Sequence, residues 1–135
     1  MILDPLMGHT VDRKRLTSHD MRETIKELAQ LDGAFVVSDD GVAVSACRYL
    51  DASSSGISLP LGLGSRHMAA ASITRQTNAV AVVVSESSIV RVFDNGELIS
   101  EIIPELWLLR HYSPHLSGPY LERTEHDIRV VSKSE

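Results

Sequence analysis

A short segment of the chain places two glycines, a hydroxyl, a guanidinium and an imidazole side by side, at Gly62-Leu63-Gly64-Ser65-Arg66-His67. Ser65 is a favourable helix cap and an alanine-rich stretch follows it, so the segment is expected to open a helix. The free N–H groups and the positive dipole end of a helix N-terminus attract phosphate. The alternative is an ordinary capped helix start after a loop. The segment is not a P-loop, because no Gly-Lys-Ser/Thr follows, and it lacks the third glycine of the dinucleotide fingerprint.

Two further segments place polar groups beside predicted strands. Asp32 and Gly33 lie where a helix gives way to a strand. A carboxylate there could hold a divalent metal ion or accept a hydroxyl proton, although Asp-Gly is also a favoured turn pair. Ser85-Glu86-Ser87-Ser88 directly follows an apolar strand, where hydroxyls could meet a phosphate. It could equally be a polar turn, so both interpretations stay open from these residues alone.

The elements that must position these groups alternate between helix and strand. Apolar spacing predicts a helix over Asp20–Leu31, with a capping box formed by Thr17 and Asp20. A second helix is predicted over about Arg66–Gln76. The predicted strands are Ala34–Val37, Val42–Cys47, Ala79–Val84 (an apolar run expected to be buried on both faces), Ile89–Phe93, Glu97–Ile102 and Ile128–Val131, and a short helix is expected around Glu105–Arg110.

This order of elements predicts one α/β domain with a mixed central β-sheet flanked by helices. Asn95-Gly96 between two strands is a strong hairpin signal, and a second hairpin is predicted at the turn Ser38-Asp39-Asp40-Gly41, so a purely parallel sheet is not expected. The single domain should extend over residues 1–135, with a motif-bearing core at about 18–112 and a C-terminal extension at 113–135.

Composition excludes several classes of protein. With 43% hydrophobic and 23% charged residues among 135, the chain is expected to pack a core. A net charge of −5 argues against general nucleic-acid binding through a basic surface. The longest apolar run is too short to cross a bilayer, and no signal peptide is expected. The single cysteine, Cys47, is compatible with a reducing cytoplasm.

Taken together, three motifs resemble those of the diadenylate cyclase (DAC) domain family. They are Asp32-Gly33-Ala34, then Gly64-Ser65-Arg66-His67 with Met68-Ala69-Ala70, then an apolar strand that ends in Ser85-Glu86. Their order and spacing match over about Leu28–Leu98. This sequence departs from the family at Ser65, where threonine is usual, at Met68, where a second arginine is usual, and at Ser87, where a further acidic residue is frequent.

The resemblance implies roles for individual residues. Asp32, Arg66 and His67 would be catalytic, and Asp32 would hold Mg²⁺ or Mn²⁺ and draw the attacking 3′-hydroxyl toward the α-phosphate. Tyr49 and Leu50 would flank the adenine. The implied ATP-binding residues are Gly33, Ala34, Tyr49, Leu50, Gly64, Ser65, Arg66, His67, Ser85 and Glu86.

The resemblance also implies a reaction and partners. Two ATP molecules would be joined into cyclic di-AMP with loss of two pyrophosphates, in the cytoplasm, by a homodimer or higher oligomer whose sites face each other. Because Met68 and Ser87 depart from the family, the alternative is a catalytically degenerate module that binds ATP or cyclic di-AMP. A third interpretation treats the motifs as turns and caps of a structural oligomerisation domain.

Overall fold

The structure is a computed structural model, and it describes residues 4–51, 56–104, 114–125 and 128–134. These residues form two compact units, Met1–Leu50 and Asp51–Glu135. Each unit contains its own cluster of buried apolar side chains. The expected extent of a single domain over residues 1–135 stays a prediction.

Unit 1 packs one helix and a two-stranded hairpin around a small apolar core. A short 3-10 helix, Asp12–Lys14, is followed by α1 (His19–Leu28), β1 (Ala34–Val37) and β2 (Ala43–Arg48), and the two strands pair antiparallel. The core side chains are Leu6, Met21, Ala43 and Ala46.

The start of α1 differs from the expected capping box. The N-cap is Ser18, in extended backbone, and it makes no side-chain capping bond. The prediction of Thr17 and Asp20 as a capping box is therefore wrong. The helix also ends at Leu28, earlier than Leu31, because Ala29 to Leu31 continue only as hydrogen-bonded turns.

Unit 2 packs one helix on a five-stranded sheet. Its elements are α2 (Ser65–Gln76), β3 (Ala81–Val84), β4 (Val90–Asp94), β5 (Glu97–Ile103), β6 (Tyr120–Glu125) and β7 (Ile128–Lys133). The strand order is β3-β4-β5-β7-β6, and each neighbouring pair is antiparallel. Helix α2 lies against β3, β4 and β5, and the core between them contains Ala70, Ala71, Val83, Phe93 and Leu98.

The turn between β4 and β5 is the predicted hairpin. Asn95 and Gly96 have φ values of 48° and 80°, the positive values that a tight two-residue hairpin turn requires. Beyond the turn, Phe93 pairs with Leu98 but Val92 pairs with Ser100, so Ile99 is an extra residue in β5. This bulge places Leu98 and Glu101 on the same buried face of the sheet.

The helices and strands confirm the predicted α/β class. All pairings among the described strands are antiparallel. Short turns join β1 to β2, β3 to β4 and β4 to β5, and a short turn can join only antiparallel neighbours. The expectation that Ala79–Val84 is buried on both faces is wrong for this sheet. The strand covers only Ala81–Val84 and lies at the sheet edge, and Val82 and Val84 are 63% and 62% exposed.

The C-terminal part of the chain contains one strand more than predicted. The last predicted strand is confirmed and extends to Lys133, and Tyr120–Glu125 forms an additional strand beside it. The helix expected around Glu105–Arg110 lies outside the described residues. None of the helices in the described ranges has both the length and the apolar character that a membrane crossing needs.

Candidate functional site

Unit 2 contains a cavity of about 450 Å³ between the start of α2 and the turn that joins β3 to β4. Two segments that lie far apart in the sequence and were both predicted to meet phosphate therefore line the same cavity. The lining residues are Gly62, Gly64, Ser65, Arg66, His67, Ser85, Glu86, Ser87 and Arg91. A second, smaller cavity of about 210 Å³ in this unit is lined by none of the predicted site residues.

The N-terminus of α2 forms one wall of this cavity. Gly64 is the N-cap, and Ser65 is the first helical residue instead of the expected cap. The backbone N–H groups of His67 and Met68 both donate to the carbonyl oxygen of Gly64, at 3.1 Å each. Gly64 has no side chain that could cap this helix end. The wall thus combines a hydroxyl, the Arg66 guanidinium and the positive end of a helix.

The turn after β3 forms the opposite wall. The backbone N–H of Ser88 donates to the carbonyl oxygen of Ser85 at 2.9 Å, and Ser88 has a positive φ of 66°. The Ser85 hydroxyl donates to the carbonyl oxygen of Ile89 and lies within hydrogen-bond distance of the Ser87 hydroxyl. The segment is therefore a polar turn that also lines the cavity, so the two interpretations of its sequence are compatible.

Two charged residues, Arg91 in the cavity lining and its neighbour Glu101, were not predicted as part of a site. Arg91 and Glu101 are 4% and 0% exposed, and the Nε of Arg91 donates to Oε2 of Glu101 at 2.9 Å. Arg91 lies on the same strand face as Ile89 and Phe93, both fully buried. The sequence did contain a signal for this pair. Arg91 is a charged residue at an inward-facing position of a strand, and a buried charge needs a buried partner.

His67 is the buried imidazole of the cavity, with 7% of its surface exposed. Its Nε2 lies 3.2 Å from Nη1 of Arg91, and its ring is 6.1 Å from the ring of Phe93. Burial, and next the adjacent Arg91 guanidinium, lower the pKa of His67 below its ordinary value, while Glu101 opposes them. The imidazole is therefore neutral near pH 7, and it can donate one hydrogen bond and accept one.

Unit 1 brings together the remaining predicted site residues. Ala34 pairs with Arg48, so Asp32 and Gly33, which precede β1, lie at the same end of the hairpin as Tyr49 and Leu50, which follow β2. The Asp32 carboxylate belongs to an exposed residue, and Tyr49 is 69% exposed. A carboxylate and an aromatic ring thus share one end of this hairpin.

The predicted site residues therefore form two sets, one in each unit. Asp32, Gly33, Ala34, Tyr49 and Leu50 belong to unit 1, and the residues from Gly64 to His67 with Ser85 and Glu86 belong to unit 2. That both sets form one site stays a prediction.

The metal prediction involves a single carboxylate, that of the exposed residue Asp32. In the described ranges, no three His, Cys, Asp or Glu side chains cluster as a metal cage. Mg²⁺ commonly takes only one or two protein carboxylates when substrate phosphates complete its shell. Asp32, the predicted ligand, can supply one such carboxylate, and the metal site stays a prediction.

Comparison with known proteins identifies the family. Residues 6–98 match the family model described as DAC, DisA bacterial checkpoint controller nucleotide-binding. This match covers all three motifs and more than half of the chain, so the chain belongs to the DAC family. No solved structure matches it.

Two relatives are similar to this chain, and both carry the name diadenylate cyclase. The protein from Haloferax volcanii is 56% identical over 84 residues, which are 62% of this chain and 31% of that protein. The protein from Methanocaldococcus jannaschii is 44% identical over 110 residues, which are 81% of this chain and 34% of that protein. The aligned part of this chain thus spans about a third of the length of these relatives.

Proposed function

We propose that this chain is a diadenylate cyclase domain, which condenses two ATP molecules into cyclic di-AMP and two pyrophosphates. The observation that carries the proposal is the cavity of unit 2. In a chain of the DAC family, it gathers the Ser65-Arg66-His67 helix start and the Ser85-Glu86 turn around one space. The names of the two relatives support the same reaction.

Substrate binding follows from the groups that line this cavity. The helix N-terminus, the Arg66 guanidinium and the hydroxyl of Ser65 can donate to the oxygens of a triphosphate, and Ser85 would touch its far end. A cavity of about 450 Å³ lies within the range of ordinary ligand sites. In the proposal, Tyr49 and Leu50 of unit 1 flank the adenine, and Gly33 allows close backbone approach to the ribose.

The reaction needs positioning and charge neutralisation more than covalent participation by the protein. The 3′-hydroxyl oxygen of each ATP forms a bond to the α-phosphorus of the other, and pyrophosphate leaves with the electrons of the broken P–O bond. The hydroxyl proton passes to a carboxylate, which we assign to Asp32, and then to solvent. Asp32 would hold the Mg²⁺ or Mn²⁺, which would supply positive charge against the phosphate oxygens.

The reaction also needs two copies of the domain. Each copy binds one ATP, so each 3′-hydroxyl meets the other α-phosphate only when two sites face each other across a two-fold axis. We therefore include a homodimer or higher homo-oligomer in the proposal. A cytoplasmic location belongs to it as well, in keeping with the single thiol of Cys47.

The test measures product at several protein concentrations. The intact chain is incubated with ATP and Mg²⁺ or Mn²⁺, and products are identified by mass spectrometry. Cyclic di-AMP whose specific rate rises with protein concentration is the expected result. Asp32→Asn should abolish product while Asp39→Asn, at an exposed turn position, should not.

A second candidate is a module that binds the nucleotide without turnover. Two departures from the family favour it: Met68 stands where an arginine is usual, and Ser87, which lines the described cavity, stands where a further acidic residue is frequent. A rise in melting temperature with ATP but no product with either metal would select this candidate. No stabilisation by ATP or cyclic di-AMP would contradict both.

A further inference from the structure

A row of three buried polar side chains runs from the sheet to the cavity. Arg91 on β4 and Glu101 on β5 are directly paired across the two strands. Arg91 uses its Nε for Oε2 of Glu101, at 2.9 Å, and its Nη1 lies 3.2 Å from Nε2 of His67. Both His67 and Arg91 also line the cavity. The guanidinium fork therefore connects a fixed carboxylate to the ring of His67.

The proton positions on His67 follow from the chemistry of arginine. A guanidinium has only N–H donors and no acceptor, so Nε2 of His67 must be the acceptor in this pair. An imidazole that accepts at Nε2 is neutral and bears its hydrogen on Nδ1. Among the described residues, Nδ1 of His67 has no hydrogen-bond partner, although it is shielded from solvent. A buried N–H without a partner is uncommon in native proteins and calls for an explanation.

We propose that Arg91, oriented by Glu101, is a positioning residue that fixes His67 as the Nδ1–H tautomer, so that the ring donates this hydrogen to an anionic oxygen in the cavity. The tautomer stands on the geometry alone. Only the identity of the oxygen, a phosphate oxygen of a nucleoside triphosphate, rests on the proposed function. The ring then adds a neutral, directional donor to the charge that Arg66 contributes.

The guanidinium suits this position better than any other cation. Its planar fork can donate to Glu101 and His67 at the same time, whereas a lysine ammonium is a compact point charge on a flexible stem. Four charged or titratable groups act on His67. They are Arg91 from β4, Glu101 from β5, His115 from the segment that precedes β6, and Arg66 from α2. Glu101 also accepts from the backbone N–H of His115, so both of its oxygens are engaged.

The first experiment reads the tautomer directly. The intact chain is labelled with ¹⁵N-histidine, and long-range ¹H–¹⁵N spectra are recorded from pH 6 to 8, with His67 assigned by its loss in His67→Gln. The expected result is a protonated Nδ1 and an unprotonated Nε2 for His67. An Nε2–H tautomer of His67, or averaging between both forms, in the unmodified protein would overturn the proposal.

The second experiment tests whether Arg91 acts through His67. Binding of inorganic tripolyphosphate is measured by calorimetry for Arg91→Lys, His67→Gln and the double variant, with Arg123→Lys at an exposed strand position as control. Either single change should weaken binding by about tenfold or more, the loss expected for one hydrogen bond to a charged acceptor. The double variant should be no weaker than His67→Gln alone.

The outcomes separate this inference from the proposed function. Additive losses in the double variant, or an Arg91→Lys protein with unchanged tautomer and unchanged affinity, would contradict the positioning role. The Nδ1–H tautomer and non-additive tripolyphosphate binding could both be observed while no cyclic di-AMP is formed. That result would contradict the cyclase proposal and support this inference.

Discussion

Gly33 lies against the backbone of Cys47, closer than a side chain would allow. A Cβ built on Gly33 would come within 2.6 Å of the carbonyl carbon of Cys47 and 2.9 Å of the backbone nitrogen of Arg48. Gly33 also has a φ of 106°, and Cys47 has a positive φ of 56°. Between the pairs Ala34–Arg48 and Val36–Ser45, strand β2 has one residue more than β1, so this contact is made at a bulge.

Replacement of Gly33 by alanine should therefore destabilise the protein strongly. The added methyl group meets backbone atoms that cannot move aside, and alanine disfavours the positive φ. We expect a loss of about 2 kcal/mol or more in the free energy of unfolding, measured by urea denaturation.

Gly41→Ala is the matched control for this substitution. Gly41 also has a positive φ, of 81°, but a Cβ there would meet no atom within 4 Å. Its cost should be limited to the backbone term, about 1 kcal/mol. Equal losses for the two variants would contradict a role for the contact with Cys47.

Local sequence signals predicted the elements that bear the motifs. Asn95-Gly96 supplies the two positive φ values of its turn, and the alanine-rich stretch after Ser65 forms α2 as expected. These features depend on neighbours in the chain, so a single sequence contains them. The strand Tyr120–Glu125 was missed because all of its residues are exposed and it has no alternation of apolar and polar side chains.

The Arg91–Glu101 pair shows what a local pattern could not predict. Regular pairing outward from the turn at Asn95-Gly96 would place Arg91 opposite Ser100. The extra residue Ile99 shifts the register by one and brings Glu101 opposite Arg91 instead. No motif in the sequence marks this bulge. The part of the site that depends on strand register could therefore not be predicted from the sequence. The segments around Ser65 and Ser85 were recognised from the types of their residues and from their order along the chain.

Asp4 should make the stability of the protein depend on acid pH. Its Oδ1 accepts from the backbone N–H groups of Leu6 and Ala46, at 2.9 and 3.2 Å, and its Oδ2 lies 3.4 Å from the Arg48 guanidinium. Burial by itself would raise the pKa of Asp4, but these donors together with Arg48 and Lys14 bring it below its ordinary value.

The sign of this dependence follows from the lowered pKa. The stabilisation is present above the ordinary carboxyl pKa of about 3.9 and is lost as the pH falls through the lower folded value. Asp4→Asn should therefore be less stable than the unmodified protein at pH 7 and should lose less stability between pH 5 and pH 2. Asp39→Asn is the control, and a parallel loss in all three proteins by urea denaturation would rule out this role for Asp4.

Thr74 should stabilise the junction between α2 and the β4–β5 turn. Its hydroxyl donates to the carbonyl oxygen of Ala71 at 3.0 Å and accepts from the backbone N–H of Gly96 at 3.1 Å, and the residue is 1% exposed. Thr74→Val keeps the shape but leaves the Gly96 N–H without this acceptor. We expect a loss of about 1–3 kcal/mol in the free energy of unfolding.

The comparison for Thr74 is a threonine on the other helix. The hydroxyl of Thr24 donates to the carbonyl oxygen of Asp20 at 2.9 Å in an exposed setting. Water can replace that bond, so Thr24→Val should change stability by no more than about 0.5 kcal/mol. Both variants are compared by thermal melts at one pH. A Thr74→Val protein as stable as Thr24→Val would show that the Gly96 N–H finds another acceptor.

His67 should oppose folding at mildly acidic pH. Its pKa is lowered in the folded protein, first by burial and then by Arg91, so the folded state binds fewer protons than the unfolded state just below the ordinary histidine value of about 6.5. The contribution of His67 to stability is therefore highest above that value. It falls as the pH drops from about 6.5 toward the folded pKa, by at most about 1.4 kcal/mol per pH unit from one histidine.

Urea denaturation between pH 5 and pH 8 measures this slope. His67→Gln should reduce the slope, whereas His19→Gln, which removes an exposed imidazole, should keep it. If the slope is the same in all three proteins, the imidazole of His67 is not held neutral by its burial beside Arg91.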